Sequence, residues 1–330
     1  MIPLALFEET RARIRSQIAR TTLVRLVHGV VGRGNGVDEH GVISMPALDD
    51  RLGRDVWLKL ECLQVTGSFK ARGALNRILS LPPGRAERGI VTASGGNHGV
   101  AVAFAGRAVG APTTIYLPSS ASTEKARRIE GWGARVIRAG DVWDDAHAAA
   151  VAHASAEGLT YVHPFADPEV IAGQGTIALE LFEQAPTIDT LVIAIGGGGL
   201  VAGVASVARK LVPGIRIIGV EPTGAPTLYE SLRANEVIEL ASVSTKAGTL
   251  APRKSDPYTF AILREVVDEI VLVTDDEMRD AARFLLANVG VGVELAGAAA
   301  LAAVLTKRID LGPARTPCIL VCGAGTDALD

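Results

Sequence analysis

From Val56 onward, short apolar runs of strand length alternate with stretches of helical periodicity, and this alternation constrains the fold more than any other feature of the chain. Strands separated by helix-length segments pair in parallel, joined by right-handed crossovers that lay helices over the sheet faces. The predicted strands are 55–60, 89–92, 113–117, 135–138, 160–162, 190–195, 215–221, 269–273 and 317–322. Helices are predicted over 69–80, 97–109, 122–132, 143–156, 168–184, 199–211, 225–234, 276–289 and 295–307. Ahead of this region, 5–20 reads as an Arg-rich helix and 21–26 as extended chain. Five glycines between Gly29 and Gly41 predict an irregular loop or short hairpin, and 242–260, with Pro252 and Pro257, is the other irregular stretch. The fold class is therefore α/β, with covered parallel sheets.

Open sheets of this class bind ligands beyond the carboxyl ends of their strands, and four stretches there carry chemistry. In Gly67-Ser68-Phe69-Lys70-Ala71-Arg72-Gly73-Ala74, one lysine follows an aromatic ring at the start of a helix. An amine shielded by Phe69 is placed for a lowered pKa and for Schiff-base chemistry; alone, Lys70 also reads as a solvated helix lysine. In Thr92-Ala93-Ser94-Gly95-Gly96-Asn97-His98-Gly99, small residues let backbone N–H groups at a helix start approach an anion such as a substrate carboxylate, and Asn97 offers a neutral amide. Asn97 as a simple N-cap and His98 as a packing residue are the plainer readings.

The tract Ile195-Gly196-Gly197-Gly198-Gly199-Leu200 sits between an apolar strand and a helix, where consecutive amides can surround a phosphate. A dinucleotide fold is a rival, because Gly197, Gly199 and Gly203 crudely match a nucleotide pattern and Glu221 ends the next strand where a ribose-binding acid would stand. The final strand, running into Cys322-Gly323-Ala324-Gly325-Thr326, puts Cys322 at a ligand-facing strand end, although a lone buried cysteine is ordinarily a small hydrophobe.

Composition narrows the partners. A net charge of −3 and a pI near 6.1 offer no basic field for nucleic acid or anionic lipid, which leaves a small molecule as the expected partner. Three widely spaced cysteines, Cys62, Cys318 and Cys322, form neither a disulfide framework nor a zinc pattern, so a cytoplasmic setting is expected. The start of the chain does not read as a signal peptide, and its longest apolar run, about 295–305, is too short to span a bilayer.

Together these stretches resemble the fold-type II pyridoxal-phosphate enzymes of the threonine/serine dehydratase and serine racemase group. The resemblance extends over nearly the whole chain and includes Leu58-Lys59-Leu60-Glu61, His163-Pro164-Phe165, Ile171-Ala172-Gly173-Gln174-Gly175-Thr176 and Gly219-Val220-Glu221-Pro222. It implies a tryptophan synthase β-like architecture of two open parallel sheets. A large cofactor-binding domain would comprise 1–81 and 166–330, with a small mobile domain at 82–165 that closes over substrate. It implies pyridoxal 5′-phosphate bound as a Schiff base to Lys70 beside Phe69, with Asn97 facing its ring hydroxyl. Gly196, Gly197, Gly198, Gly199 and Leu200 would hold its phosphate, Cys322 would face its pyridine nitrogen, and Glu294 would lie near the ring. Ser94, Gly95, Gly96, Asn97 and His98 would bind substrate, and the protein would be a homodimer.

The implied activity is elimination of water from a β-hydroxy amino acid such as L-threonine or L-serine, giving a 2-oxo acid and ammonia. Alternatives within the fold are a specialised substrate (hydroxyaspartate, phenylserine or a hydroxyectoine-derived amino acid), serine racemisation, or β-replacement. Gly95 stands where the racemases carry a serine acid/base, which lowers racemisation. The family's metal site is only partly matched, by Glu221 and the Ala225 carbonyl, because Thr227 replaces an expected aspartate. Gly325-Thr326 in place of an asparagine and the 29–41 loop are further departures, and no C-terminal regulatory domain is expected.

Overall fold

The computed structural model describes residues 2–29, 36–47, 50–312 and 315–328. An N-terminal helix α1 (Leu4–Ile14) precedes β1 (Leu23–Val27), β2 (Gly36–Val37) and β3 (Val42–Pro46), and the regular alternation then begins with β4 (Val56–Leu60) and α2 (Lys70–Leu79). A compact middle region follows: β5 (Ile90–Ala93), α3 (Asn97–Ala108), β6 (Thr113–Leu117), α4 (Thr123–Glu130), β7 (Arg135–Arg138), α5 (Trp143–Glu157) and β8 (Thr160–Tyr161). The chain continues through α6 (Pro168–Gln184), β9 (Thr190–Ala194), α7 (Gly199–Leu211), β10 (Arg216–Pro222), α8 (Thr227–Ala234) and α9 (Pro257–Val266). It ends with β11 (Glu269–Val273), α10 (Asp275–Val289), α11 (Leu295–Leu305) and β12 (Pro317–Val321).

Two sheets result. The larger runs β11-β10-β9-β12-β4-β1-β3-β2 and the smaller β7-β6-β5-β8. Every pairing in the smaller sheet is parallel, and in the larger only β1 with β4 and β2 with β3 are antiparallel. The predicted α/β class with two open, largely parallel sheets is the observed one. Central strands β9 and β12 are buried along their whole length, as expected where helices cover both faces.

Local chemistry explains several boundaries. Asp167 caps α6 by accepting from the Glu169 and Val170 amides, with Pro168 preset for the first turn. Thr274 and Glu277 form a reciprocal capping box on α10. The sequence predicts an irregular stretch up to 260, yet a helix starts at Pro257: Asp256 accepts from the Tyr258 amide, and the proline initiates that helix. In the 29–41 loop, β2 and β3 form the short antiparallel pairing of a hairpin, while 30–35 lie outside the described residues.

One buried charge network ties the elements beneath the lysine motif. Lys59 on β4 donates to the Thr21 carbonyl, Glu180 and Gln184, while Arg72 on α2 donates to both oxygens of Glu61 and of Glu180. Two cations balance two carboxylates with nearly all their hydrogen-bonding capacity used, the condition under which buried ions are tolerated. Lys70 therefore sits two residues from an anchor that joins β4, α2 and α6.

Candidate active site

The four stretches converge. The Phe69 amide donates to the Cys322 carbonyl at 3.2 Å and the Ala324 amide to the Gly67 carbonyl at 2.8 Å, which lays 67–69 antiparallel along the end of β12. The chain reaches this position through a strained turn, with Thr66 at φ 72° and Gly67 at φ 81°. A β-branched residue in the left-handed region costs roughly 1–3 kcal/mol and persists only where its surroundings enforce it.

Lys70 opens α2. Its Nζ donates to the Pro164 carbonyl at 2.8 Å and lies 5.1 Å from the centroid of the Phe69 ring. Desolvation lowers its pKa from 10.5 to about 8, opposed by Cys322 and Glu294. Roughly a tenth of this amine is thus neutral and nucleophilic at pH 7, far more than for an ordinary lysine. His163 prepares the acceptor: its Nδ1 accepts from the Phe165 and Ala166 amides, fixing the turn that presents the Pro164 carbonyl. Burial and nearby Lys70 hold His163 down at about 4, although Asp256 opposes this, so it stays neutral in that role.

The glycine tract is packed on all sides. A Cβ on Gly197 would meet the Phe165 ring at 2.3 Å, one on Gly196 the Thr249 carbonyl at 2.9 Å, and one on Gly199 the Phe165 carbonyl at 2.8 Å. Gly198, at φ 93°, precedes the first residue of α7 and is packed by Thr259 and Leu228. Ser255 pins the loop by donating to the Gly197 carbonyl at 3.0 Å. The N-terminus of α7 carries neither an acidic residue in its first turn nor a side-chain cap, so its amide dipole is available to an anion.

Asn97 opens α3 on the smaller sheet and donates to Glu294 Oε1 at 2.7 Å, with Thr249 at 3.4 Å from the same oxygen. Gly323 makes room for this pair, since a Cβ there would lie 2.4 Å from Glu294 Oε1 and 3.1 Å from Asn97 Nδ2. Burial, reinforced by Asp327, raises the Glu294 carboxyl to about 7 against the Asn97 hydrogen bond. Ser94 Oγ accepts from the Gly96 amide at 3.3 Å, and a Cβ built on Gly95 would lie in ordinary contact with the Leu117 side chain at 3.4 Å and the Lys125 stem at 3.7 Å. The buried His98 ring donates through Nε2 to the Val162 carbonyl at 3.0 Å; burial lowers its pKa to about 3, fixing it neutral. Its backbone amide remains at the α3 N-terminus beside those of Asn97 and Gly99.

Cys322 ends β12 with its thiol buried and donating to the Ala296 carbonyl at 3.4 Å. Burial, followed by Glu294, pushes this thiol far above the ordinary cysteine range, so it is neutral. Glu221 stands elsewhere. Both its oxygens accept amides of α8, from Leu228 at 2.9 Å and Tyr229 at 2.7 Å, and Thr227 Oγ1 donates to the Pro252 carbonyl. The Glu221 carboxyl is a helix cap here, and the Ala225 amide closes a turn onto the Pro222 carbonyl. Among the described residues no group of three or more His, Cys, Asp or Glu is placed to hold a metal.

Several contributors escaped the sequence reading as site residues. The Pro164 carbonyl is invisible as chemistry in a sequence, and Thr249 and Ser255 lie in the irregular 242–260 stretch, whose position beside a site was the only hint. Trp143 donates from its indole to the Ala93 carbonyl at 3.0 Å and so pins the strand end from which the Ser94–Asn97 loop departs.

Residues 38–323 match the model of the family described as pyridoxal-phosphate dependent enzyme. An L-threonine ammonia-lyase of Geobacter sulfurreducens is 38% identical, covering 98% of this chain and 76% of its own length. An L-threo-3-hydroxyaspartate ammonia-lyase of Saccharomyces cerevisiae is 35% identical, covering 83% of this chain and 84% of its own. Among solved structures, maize serine racemase superposes with a TM-score of 0.87 at 31% identity, covering 98% of this chain and 94% of that one.

Proposed function

The chain belongs to the pyridoxal-phosphate dependent enzyme family, and from that premise we propose that it is an ammonia-lyase acting on a β-hydroxy amino acid such as L-threonine or L-serine. The observation that carries this reading is the Lys70 amine, half-buried, lowered to about pKa 8, and held between the end of β12 and the Pro164 carbonyl. The residues present fit the cofactor. Lys70 would hold it covalently beside Phe69, the amides of Gly196–Gly199 and Leu200 at the uncapped α7 N-terminus would take its phosphate, Asn97 would face its ring hydroxyl and Cys322 its pyridine nitrogen, with Glu294 nearby. Bound there, pyridoxal phosphate supplies an electron sink for the charge left at the substrate Cα.

The chain's own groups then divide the work. The α3 N-terminal amides beside Ser94, Gly95, Gly96 and His98 seat the α-carboxylate. Lys70, as a free amine held at this position, would remove the Cα proton as general base. The Cβ–O bond breaks and the hydroxyl departs with a proton as water. The released enamine then takes up one water and loses ammonia, so threonine yields 2-oxobutanoate and ammonia with atoms in balance. Cys322, a neutral thiol, does not hold a proton on a ring nitrogen, which favours rapid elimination over a long-lived carbanion. Gly95 supplies no hydroxyl on the opposite face, which supports a lyase over a racemase.

The same proposal includes a small domain at 82–165 that closes over the larger body, a homodimer, and a cytoplasmic setting. The four-stranded sheet falls wholly inside 82–165, and all three cysteines are free thiols. Among the described residues no helix is long and apolar enough to cross a membrane. The test is 2-oxo acid release by purified holoenzyme supplied with L-threonine and L-serine, with Lys70→Ala as control. Release that survives the substitution would sink the assignment.

A further inference from the structure

The flank of the substrate loop carries two positive charges that make no ion pair with a carboxylate among the described residues. On α4, Lys125 and Arg128 are exposed and lie three positions apart, which makes them neighbours on one helix face, while Ala126 and Ile129 are buried. A Cβ on Gly95 would sit 3.7 Å from Lys125 Cδ, so the Lys125 stem runs alongside the loop. Arg128 lies near enough to Glu294 that its charge draws that carboxyl's pKa downward, yet the two make no ion pair. Among the described residues neither cation has a carboxylate within ion-pairing distance.

The substrate's α-carboxylate does not require them. α3 begins at Asn97 with no acidic residue in its first turn and no side-chain cap, so its own amides form one anion seat. We infer that Lys125 and Arg128 form a second anion seat, for the side-chain carboxylate of a β-hydroxy dicarboxylic amino acid, so that the preferred substrate is of the 3-hydroxyaspartate class. The inference rests on the reading of Ser94–His98 as the substrate loop. A guanidinium fork matches both oxygens of a carboxylate, and the Lys125 stem beside Gly95 brings a second cation to the same flank. The chemistry is unchanged: the Cα–H and Cβ–O bonds break, water leaves, and one water is regained as ammonia is released, giving oxaloacetate.

The experiment compares kcat/KM for L-threo-3-hydroxyaspartate and L-threonine in the holoenzyme, in Arg128→Gln and in Lys125→Gln. A second arm measures by calorimetry the binding of succinate against butyrate, four-carbon acids that differ by one carboxylate. The expected result is a preference for the dicarboxylate of roughly tenfold or more, which collapses by roughly tenfold in Arg128→Gln, chiefly through KM, with succinate losing its advantage over butyrate in parallel. A ratio near one in the parent enzyme, or a ratio untouched by either substitution, overturns the inference while leaving the lyase reading intact. Equal losses on both substrates also overturn it, because the cations would then serve the α-carboxylate. Absence of 2-oxo acid from every substrate is instead a failure of the lyase reading, and the succinate arm still decides the anion seat.

Discussion

The Lys70 amine should titrate near 8 in the cofactor-free protein. Its ordinary value is 10.5, and burial against Phe69 and the Pro164 turn lowers it to about 8 while Cys322 and Glu294 pull the other way. At pH 7.5 such an amine is neutral in roughly one molecule in four, against about one in a thousand for an ordinary lysine, a gain of about two hundredfold in nucleophile. The difference corresponds to about 3 kcal/mol, taken as an upper bound because the side chain is only half-buried. The sign for stability follows from proton counts. Between about 8 and 10.5 the unfolded chain still holds the proton that the folded chain has released, so this group's contribution rises with pH through that window. Below it, the cost of the buried ammonium is fully present. Competitive labelling with a trace of an acylating reagent, read by peptide mass spectrometry across a pH series, reports the reactivity of Lys70 against the chain's other lysines without any cofactor. An inflection near 8 at Lys70, well below those of the exposed lysines, is expected. A Lys70 profile that tracks the surface lysines up to about 10 would refute the desolvation argument.

Other expectations follow from the same geometry. Gly198→Ala places a side chain at φ 93° and 2.8 Å from Thr259 Cγ2, and should cost roughly 1–3 kcal/mol in thermal unfolding together with at least tenfold in pyridoxal-phosphate affinity, roughly. Glu180→Gln leaves the buried Arg72 and Lys59 short of a countercharge, and chemical denaturation should register a loss of about 3–5 kcal/mol. The Glu221 carboxyl is raised by burial from 4.5 to about 8, so the folded chain keeps a proton the unfolded chain has lost and its contribution falls as pH rises through that interval. Glu221→Gln should therefore flatten the stability profile between those values, and magnesium should leave the melting temperature of the parent protein unchanged, since both Glu221 oxygens already accept amides of α8.

Much of the fold was legible because parallel α/β chains announce themselves in the alternation of buried strands and crossovers. The strand runs from 55–60 to 317–322 coincide with observed strands to within a residue or two. The helix at Pro257–Val266 was read as partly irregular because a proline marks either a break or a first turn, and only the Asp256 cap decides which. At the site, the motifs were readable one by one, since glycines where a Cβ would strike Phe165 or Thr249 leave a trace in the sequence. Their partners were not. The Pro164 carbonyl, the Thr249 hydroxyl and the Arg128 charge reach the site through tertiary packing, and each looks ordinary in its own segment. Glu221 shows the converse: a residue with a plausible ligand role on paper is committed to a helix N-terminus by two backbone amides.

The central claim, that Lys70 is the amine that carries the cofactor, is tested most directly by borohydride reduction of the holoenzyme followed by peptide mass mapping. The expected result is one phosphopyridoxyl adduct, on Lys70 in the peptide containing Gly67-Ser68-Phe69, and none in Lys70→Ala. An adduct at any other lysine of the parent enzyme, Lys125 included, would contradict it.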